Sequence, residues 1–150
     1  MEESIYRSPG FCMVSGTAST MACITEAMGM TLVGAATLPA VDSRRMALAN
    51  RSGQQIVNLV KNNVRFENFL HRENFLNGIV TLMALGGSTN AIIHLLAIAG
   101  RTKTKISLDD FNQVSENTPG LANLKPAGSK LMEDFHYAGG VSALLKNIVH

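Results

Sequence analysis

The chain has 150 residues and 16.1 kDa and is 46% hydrophobic and 16% charged. It is one domain's worth of protein, able to build a core and too apolar for a disordered chain. Two cysteines exclude a disulfide scaffold, and 13 basic against 11 acidic residues leave +2, too balanced for a nucleic-acid or anionic-membrane partner.

So few charges on so apolar a chain imply that part of its surface is covered by another domain or subunit. Without tryptophan, and with 5% aromatics, the core is aliphatic and rich in the eight methionines. The most apolar stretch, residues 91–99, is far shorter than the ~20 residues a membrane-spanning helix needs. The acidic start Met1-Glu2-Glu3-Ser4 has no apolar signal core. A cytoplasmic, reducing location is therefore expected, with the cysteines as thiols or metal ligands.

In chain order, residues 1–10 read as irregular and end in the turn pair Pro9-Gly10. The small-residue loop Ser15-Gly16-Thr17-Ala18-Ser19 runs into a helix with Met21, Ile24 and Met28 on one face, closed by Gly29. Asp42 reads as the N-cap of a helix through Met46 and Leu48. Gly53 interrupts it, and a second helical pattern follows through Ile56, Val57, Leu59, Val60 and Val64. Residues 72–85 carry Phe75, Leu76, Ile79, Leu82 and Met83 at helical spacing. Gly86-Gly87 breaks that helix, and Ser88 or Thr89 caps the next, which Gly100 stops. Ser107 with Asp110 opens a further helix through Phe111 and Val114. Residues 121–125 read as a short strand limited by Pro126. Two short helices, near residues 131–135 and 141–149, finish the chain around Gly139-Gly140. No internal domain boundary interrupts residues 1–150. The chain is helix-rich with few, short strands, so it is either all-α or a piece of an α/β unit whose sheet is built elsewhere.

Three places could carry chemistry. Cys12 precedes a loop of small and hydroxyl residues, and thiolates bind soft metals and iron–sulfur clusters. The alternative is a buried structural thiol. Gly86-Gly87-Ser88-Thr89-Asn90 presents backbone N–H groups at a helix start, either as an anion site or as a plain helix break with an N-cap. Glu133 and Asp134 near His136 invite a metal, but adjacent helical residues point apart, so solvated or capping roles are expected. His94, inside an apolar helix, reads as a hydrogen-bonded core or interface histidine. Cys23 reads as structural. The basic stretch Arg44, Arg45, Arg51, Lys61, Arg65 and Arg72 serves either an anionic substrate or a solvated face.

Several of these stretches, in one order, resemble the dihydroxy-acid and sugar-acid dehydratase family. They are Arg7-Ser8-Pro9-Gly10-Phe11-Cys12-Met13-Val14-Ser15-Gly16-Thr17-Ala18-Ser19-Thr20-Met21-Ala22, Pro39-Ala40-Val41-Asp42-Ser43-Arg44-Arg45, Ala84-Leu85-Gly86-Gly87-Ser88-Thr89-Asn90-Ala91, Leu95-Leu96-Ala97-Ile98-Ala99-Gly100, and Leu131-Met132-Glu133-Asp134-Phe135-His136-Tyr137-Ala138-Gly139-Gly140. The resemblance implies an α/β fold, of which residues 1–150 would be a helix-rich part of the N-terminal, cluster-binding domain. It implies a hydro-lyase that converts a 2,3-dihydroxy acid to a 2-keto-3-deoxy acid. A cluster iron, in a 2Fe-2S centre, acts as Lewis acid on the 3-hydroxyl, and Mg²⁺ holds the carboxylate end. Cys12 matches the last of three cluster cysteines. Ser88 and Thr89 match a signature near the substrate. The other cysteines, the Mg²⁺ ligands and the catalytic base fall outside this chain in such an enzyme, so the chain alone is expected to be inactive.

The Thr17-Ala18-Ser19-Thr20-Met21 segment looks closest to the arabinonate and xylonate dehydratases, giving a small-molecule sugar acid as substrate and a homo-oligomer when full length. The alternatives are the branched-chain dihydroxy-acid dehydratase of valine and isoleucine synthesis, and a non-catalytic helical module that binds a partner or dimerises.

Overall fold

The computed structural model describes residues 12–148. Among them are seven α-helices: α1 (Thr17–Ala27), α2 (Arg44–Lys61), α3 (Arg72–Leu85), α4 (Asn90–Ala99), α5 (Leu108–Asn117), α6 (Met132–Tyr137) and α7 (Gly140–Lys146). A 3-10 turn, Phe66–Phe69, precedes α3. The expected turn at Pro9-Gly10 lies outside the described residues.

The frame is the pair α1 and α3. Gly78 of α3 sits so close to α1 that a Cβ there would lie 3.1 Å from Ile24 Cγ2 and 3.2 Å from Met28 Cγ. Both helices bury more than one face, as an apolar pattern all round a helix requires. On one side, Ile24, Phe75, Ile79 and Leu82 meet Leu95 of α4 and Phe111 of α5. On the other, Cys23, Ala84 and Leu85 meet Met132 of α6 and Val141 and Leu144 of α7. Two cores thus share two helices.

Polar groups fix the connections. The buried carboxylate of Glu26 accepts from Gly34 N–H and Ala36 N–H, each at 2.9 Å, and shapes the link after α1. Arg72 pairs with Asp110 and donates to Lys105 O at 2.6 Å, tying the start of α3 to the start of α5. Asp110 Oδ2 also accepts from Ser107 N–H at 2.8 Å, the reciprocal half of the expected cap. These donors hold the Asp110 carboxyl below its usual range, Arg72 first.

Two expectations are corrected. Residues 121–125 form no strand: only an isolated parallel bridge joins Leu124 and Lys130, and no strand occurs among the described residues. The expected α/β character is therefore absent from this stretch, because Leu121 N–H and Ala122 N–H are spent on Ala84 O, the C-terminus of α3, rather than on a partner strand. Gly53 does not interrupt a helix. α2 runs through it, since one interior glycine costs only about 1 kcal/mol and open space surrounds this one.

α2 is also the exception to the packing. None of its 18 residues is buried. Met46 is 77% exposed and Val60 72% exposed, with Ile56 and Val57 also open. Positions 46, 49, 53, 56, 57 and 60 follow the spacing of a single helical face. Only the first turns of α2 approach α1, across an open groove that includes Ala22, Thr25, Arg45 and Leu48.

Phe75, wholly buried between α1, α4 and α5, is the test of the shared frame. Phe75→Ala is expected to lower the stability of the chain by about 3–5 kcal/mol, read from urea unfolding.

Candidate active site

Cys12 is exposed and unpaired, at the head of the loop that feeds α1. That loop is held by two outside partners and by a turn of its own. Met132 N–H donates to Met13 O at 2.8 Å, Ser15 N–H to Lys125 O at 2.7 Å, and Gly16 N–H to Val14 O at 2.8 Å. From inside α1, Ser19 Oγ donates to Val14 O at 3.0 Å and Gly16 O at 3.1 Å. Gly16 occupies the N-cap and offers no side chain, so the first turn of α1 keeps its N–H groups free of side-chain capping.

The loop of residues 86–90 docks against this same turn. Gly86 ends α3 in the left-handed conformation, φ 60° and ψ 42°, where glycine is favoured. Gly87 then passes so near α1 that a Cβ would come within 2.6 Å of Thr20 Cγ2. Ser88 N–H donates to Thr20 Oγ1 at 3.0 Å, and Ser88 Oγ and Thr17 Oγ1 share a hydrogen bond of 3.0 Å. Asn90 Nδ2 donates to Thr17 Oγ1 at 2.9 Å. The starts of α1 and α4 are thereby fastened side by side, directly after the Cys12 loop.

Of the predicted residues, Ser88 is brought to the helix that follows Cys12. Thr89 is not: it is the exposed N-cap of α4 and makes no cap hydrogen bond. Asn90, part of the predicted 86–90 loop, completes the junction with Thr17 and Thr20, which were not singled out by sequence reasoning. Their signal was present in the Thr-x-x-Thr spacing, which places two hydroxyls on one helical face.

The other candidates resolve differently. Cys23 is fully buried in the core; burial, then the charge of Glu26, pushes its thiol up to about 12. Asp134 Oδ2 accepts from Leu131 N–H at 2.8 Å and caps α6. Among the described residues no three His, Cys, Asp or Glu side chains converge as a metal site. His94 is not a core histidine. It lies exposed on α4, beside an open groove with Phe66, Leu70 and Ile98, because it sits about 100° round the helix from Leu95, off the buried line of Ala91, Leu95 and Ala99. Within the basic stretch, Arg72 pairs with Asp110 and Arg44 with Asp42, while Arg45 donates to Leu38 O and Arg51 and Lys61 lie exposed on α2.

His136 sits in a second polar cluster. Arg44 donates to Asp42 through Nε at 2.9 Å and Nη2 at 2.5 Å, and Asp42 Oδ1 also accepts Arg44 N–H at 2.8 Å. These bonds hold the Asp42 carboxyl far below its ordinary range and raise Arg44. Arg44 Nη2 lies 3.1 Å from His136 Nε2, and His136 Nδ1 lies 3.0 Å from Thr37 Oγ1. A guanidinium can only donate, so Nε2 accepts, and Nδ1–H donates to Thr37. The imidazole is therefore neutral, and α2 is clasped to α6 at this point.

The model of the dihydroxy-acid/6-phosphogluconate dehydratase N-terminal family matches residues 1–150. The chain belongs to this dehydratase family. Relatives include a Rhizobium meliloti (strain 1021) protein named for a dehydratase activity, 50% identical over 99% of this chain and 26% of the relative. The L-arabinonate dehydratase of Rhizobium leguminosarum bv. trifolii (strain WSM2304) is 48% identical over 98% of this chain and 25% of its own length. The dihydroxy-acid dehydratase of Sulfurisphaera tokodaii (strain DSM 16993 / JCM 10545 / NBRC 100140 / 7) is 43% identical over 99% and 27%. The chain spans about a quarter of the length of the curated relatives it matches. No helix among the described residues is long and apolar enough to cross a membrane.

Protonating His136 would remove the acceptor that Arg44 uses. Burial first, then Arg44 and Arg45, hold its pKa below the ordinary 6.5, against the opposing pull of Asp42 and Glu133. The unfolded chain takes up this proton first as pH falls. The clasp's contribution is thus complete above about pH 6.5 and is lost as pH drops through the native value. Urea midpoints measured from pH 7.5 to 5 should fall in the native chain and fall less steeply in His136→Gln.

Proposed function

We propose that the chain is a part of a longer iron–sulfur, Mg²⁺-dependent hydro-lyase, lying within its N-terminal domain, that dehydrates a 2,3-dihydroxy sugar acid to a 2-keto-3-deoxy acid. The observation that carries this reading is the junction of the Cys12 loop, the uncapped start of α1 and the loop of residues 86–90. It gathers two of the stretches on which the family resemblance rests. Cys12 fits one arm of a cluster: its thiol is exposed and free, small residues follow it, and the neighbouring N–H groups are available to sulfur. Cys23 does not fit, because its thiolate is suppressed by burial. The remaining cluster and Mg²⁺ ligands, the catalytic base, and the sheet of an α/β domain belong to the rest of such an enzyme.

When bound, the cluster supplies Lewis-acid stabilisation to a departing hydroxide, which is a poor leaving group in water. This chain's residues hold and orient. Cys12 anchors, the α1 N–H groups favour negative charge beside it, and Ser88, fixed by Thr17 and Thr20, places a hydroxyl at the substrate side. Thr89, exposed at the head of α4, is the adjacent substrate contact. The sugar-acid branch is supported by Thr17-Ala18-Ser19-Thr20-Met21 and by Pro39-Ala40-Val41-Asp42-Ser43-Arg44-Arg45. A branched-chain dihydroxy acid is the second reading, favoured by a Caldanaerobacter subterraneus relative named dihydroxy-acid dehydratase at 47% identity.

The bare face of α2 accords with a part of a larger protein. It would be covered by the remainder of the enzyme and joined into a homo-oligomer. The isolated chain should therefore self-associate in sedimentation analysis, and Ile56→Lys with Val60→Lys should shift it toward 16.1 kDa. A 16.1 kDa species before mutation would overturn this reading of the α2 face.

The full-length protein decides the activity. Cys12→Ser should abolish its visible cluster absorption and reduce turnover to background, and turnover of L-arabinonate should exceed that of a branched 2,3-dihydroxy acid. A reversed preference moves the protein to the branched-chain reading. Unchanged absorption in Cys12→Ser removes Cys12 from the site.

A further inference from the structure

We infer that the bare face of α2 packs against the same face of a second copy of this chain, the two helices running antiparallel and crossing at Gly53, an inference that rests on the homo-oligomer reading of the full-length protein. Gly53 lies at the middle of an exposed α-helix, where glycine is disfavoured against alanine. Nothing among the described residues asks for it. Its backbone is helical rather than left-handed, and a Cβ built there would meet no atom within 4 Å. The remaining use of a glycine inside a helix is to let another backbone come close.

The pattern around Gly53 says which backbone. Ala49 and Val57 lie four residues to either side of it, and Met46 and Val60 seven residues to either side. Those steps keep all five on one face, in a stripe about 100° wide that also holds Ile56. All six are exposed. The stripe is smallest at its midpoint and bulkiest at its ends, and it reads alike in both directions. Such a face is self-complementary. Turned about a two-fold axis at Gly53, a second α2 sets Gly53 against Gly53, Ala49 against Val57 and Met46 against Val60, as a contact between identical patches requires. The body of the chain leaves the stripe open: toward α1, α2 presents Arg45, Leu48, Ala49 and Ser52, of which only Ala49 belongs to the stripe.

Charge agrees with this occupant and this direction. α2 carries Arg44, Arg45, Arg51 and Lys61 and no acidic residue. None of the four lies in the stripe: Arg44 and Arg51 fall on the opposite side of the helix, Arg45 and Lys61 on its flanks. A parallel copy would set the two Lys61 side chains level. An antiparallel one keeps them about 24 Å apart along the axis. It also brings the end of one helix, with Lys61, to the start of the other, with Asp42, and aligns the two helix dipoles favourably.

The test uses the full-length protein carrying this chain. Sedimentation equilibrium should show an even-numbered assembly, and Gly53→Leu should halve its mass. Leucine favours the helix over glycine and has room within one copy, so circular dichroism should show this variant folded. Asn58→Leu, which adds bulk on the far side of α2, should leave the mass unchanged. A short bis-maleimide should join co-expressed Met46→Cys and Val60→Cys subunits in higher yield than either variant alone or the native protein. A folded Gly53→Leu at the native mass overturns the inference, and so does an unfolded one, which would show position 53 packed within a single copy. An equal loss of mass in Asn58→Leu overturns it as well. A linked yield in Met46→Cys alone that matches the mixture overturns the antiparallel direction. A monomeric native protein overturns the inference together with the homo-oligomer reading beneath it.

Discussion

The close crossing of α1 and α3 is the constraint on which the rest depends. Gly78 gives α3 room to lie against Ile24 and Met28. Once that contact is made, each helix has apolar residues left over on two further sides. α4 and α5 cover one, and α6 and α7 cover the other. The same crossing brings the end of α3 to the start of α1. Gly86 and Gly87 can then turn the chain onto Thr20, and Ser88 can reach Thr17. Fold and site are one construction here, because the turn that ends α3 is the turn that forms the junction.

Helix α2 belongs to a different regime. Its 18 residues obey helical periodicity, yet none is buried. Helix propensity and caps are weak forces compared with packing, so a helix this long ordinarily owes its stability to a covered face. Here the cover is absent, and the attachment is polar: the clasp of Arg44 to Asp42 and His136, with Arg45 on Leu38 O. Such an arrangement is intelligible in a chain that spans about a quarter of its relatives' length.

Much of this was legible in the sequence. The spacing of Phe75, Ile79 and Leu82 set α3 to its observed ends, and Gly86 and Gly100 stopped helices where they were expected to. Ser107 with Asp110 announced α5. The misreadings have physical causes. Gly53 was expected to interrupt a helix because propensity weighs against it, and open space around it removes any steric objection. Residues 121–125 look like a strand by composition, but a strand needs a partner, and the nearest backbone acceptor was a helix end. For the site, Cys12 and Ser88 stood out through motif and turn chemistry. Thr17 and Thr20 did not, because their significance lies in contacts across some seventy residues of chain.

The two cysteines differ in a way that makes the chain its own reporter. Cys12 is open to solvent, whereas Cys23 is sealed in the core with its thiol pushed up to about 12. Only thiolates alkylate readily. A folded chain exposed to an alkylating reagent should therefore take one label, and the speed of that labelling measures whether anything occupies Cys12. The second label arrives only when the core around α1 opens. Counting adducts over time separates occupancy of the junction from loosening of the frame that supports it.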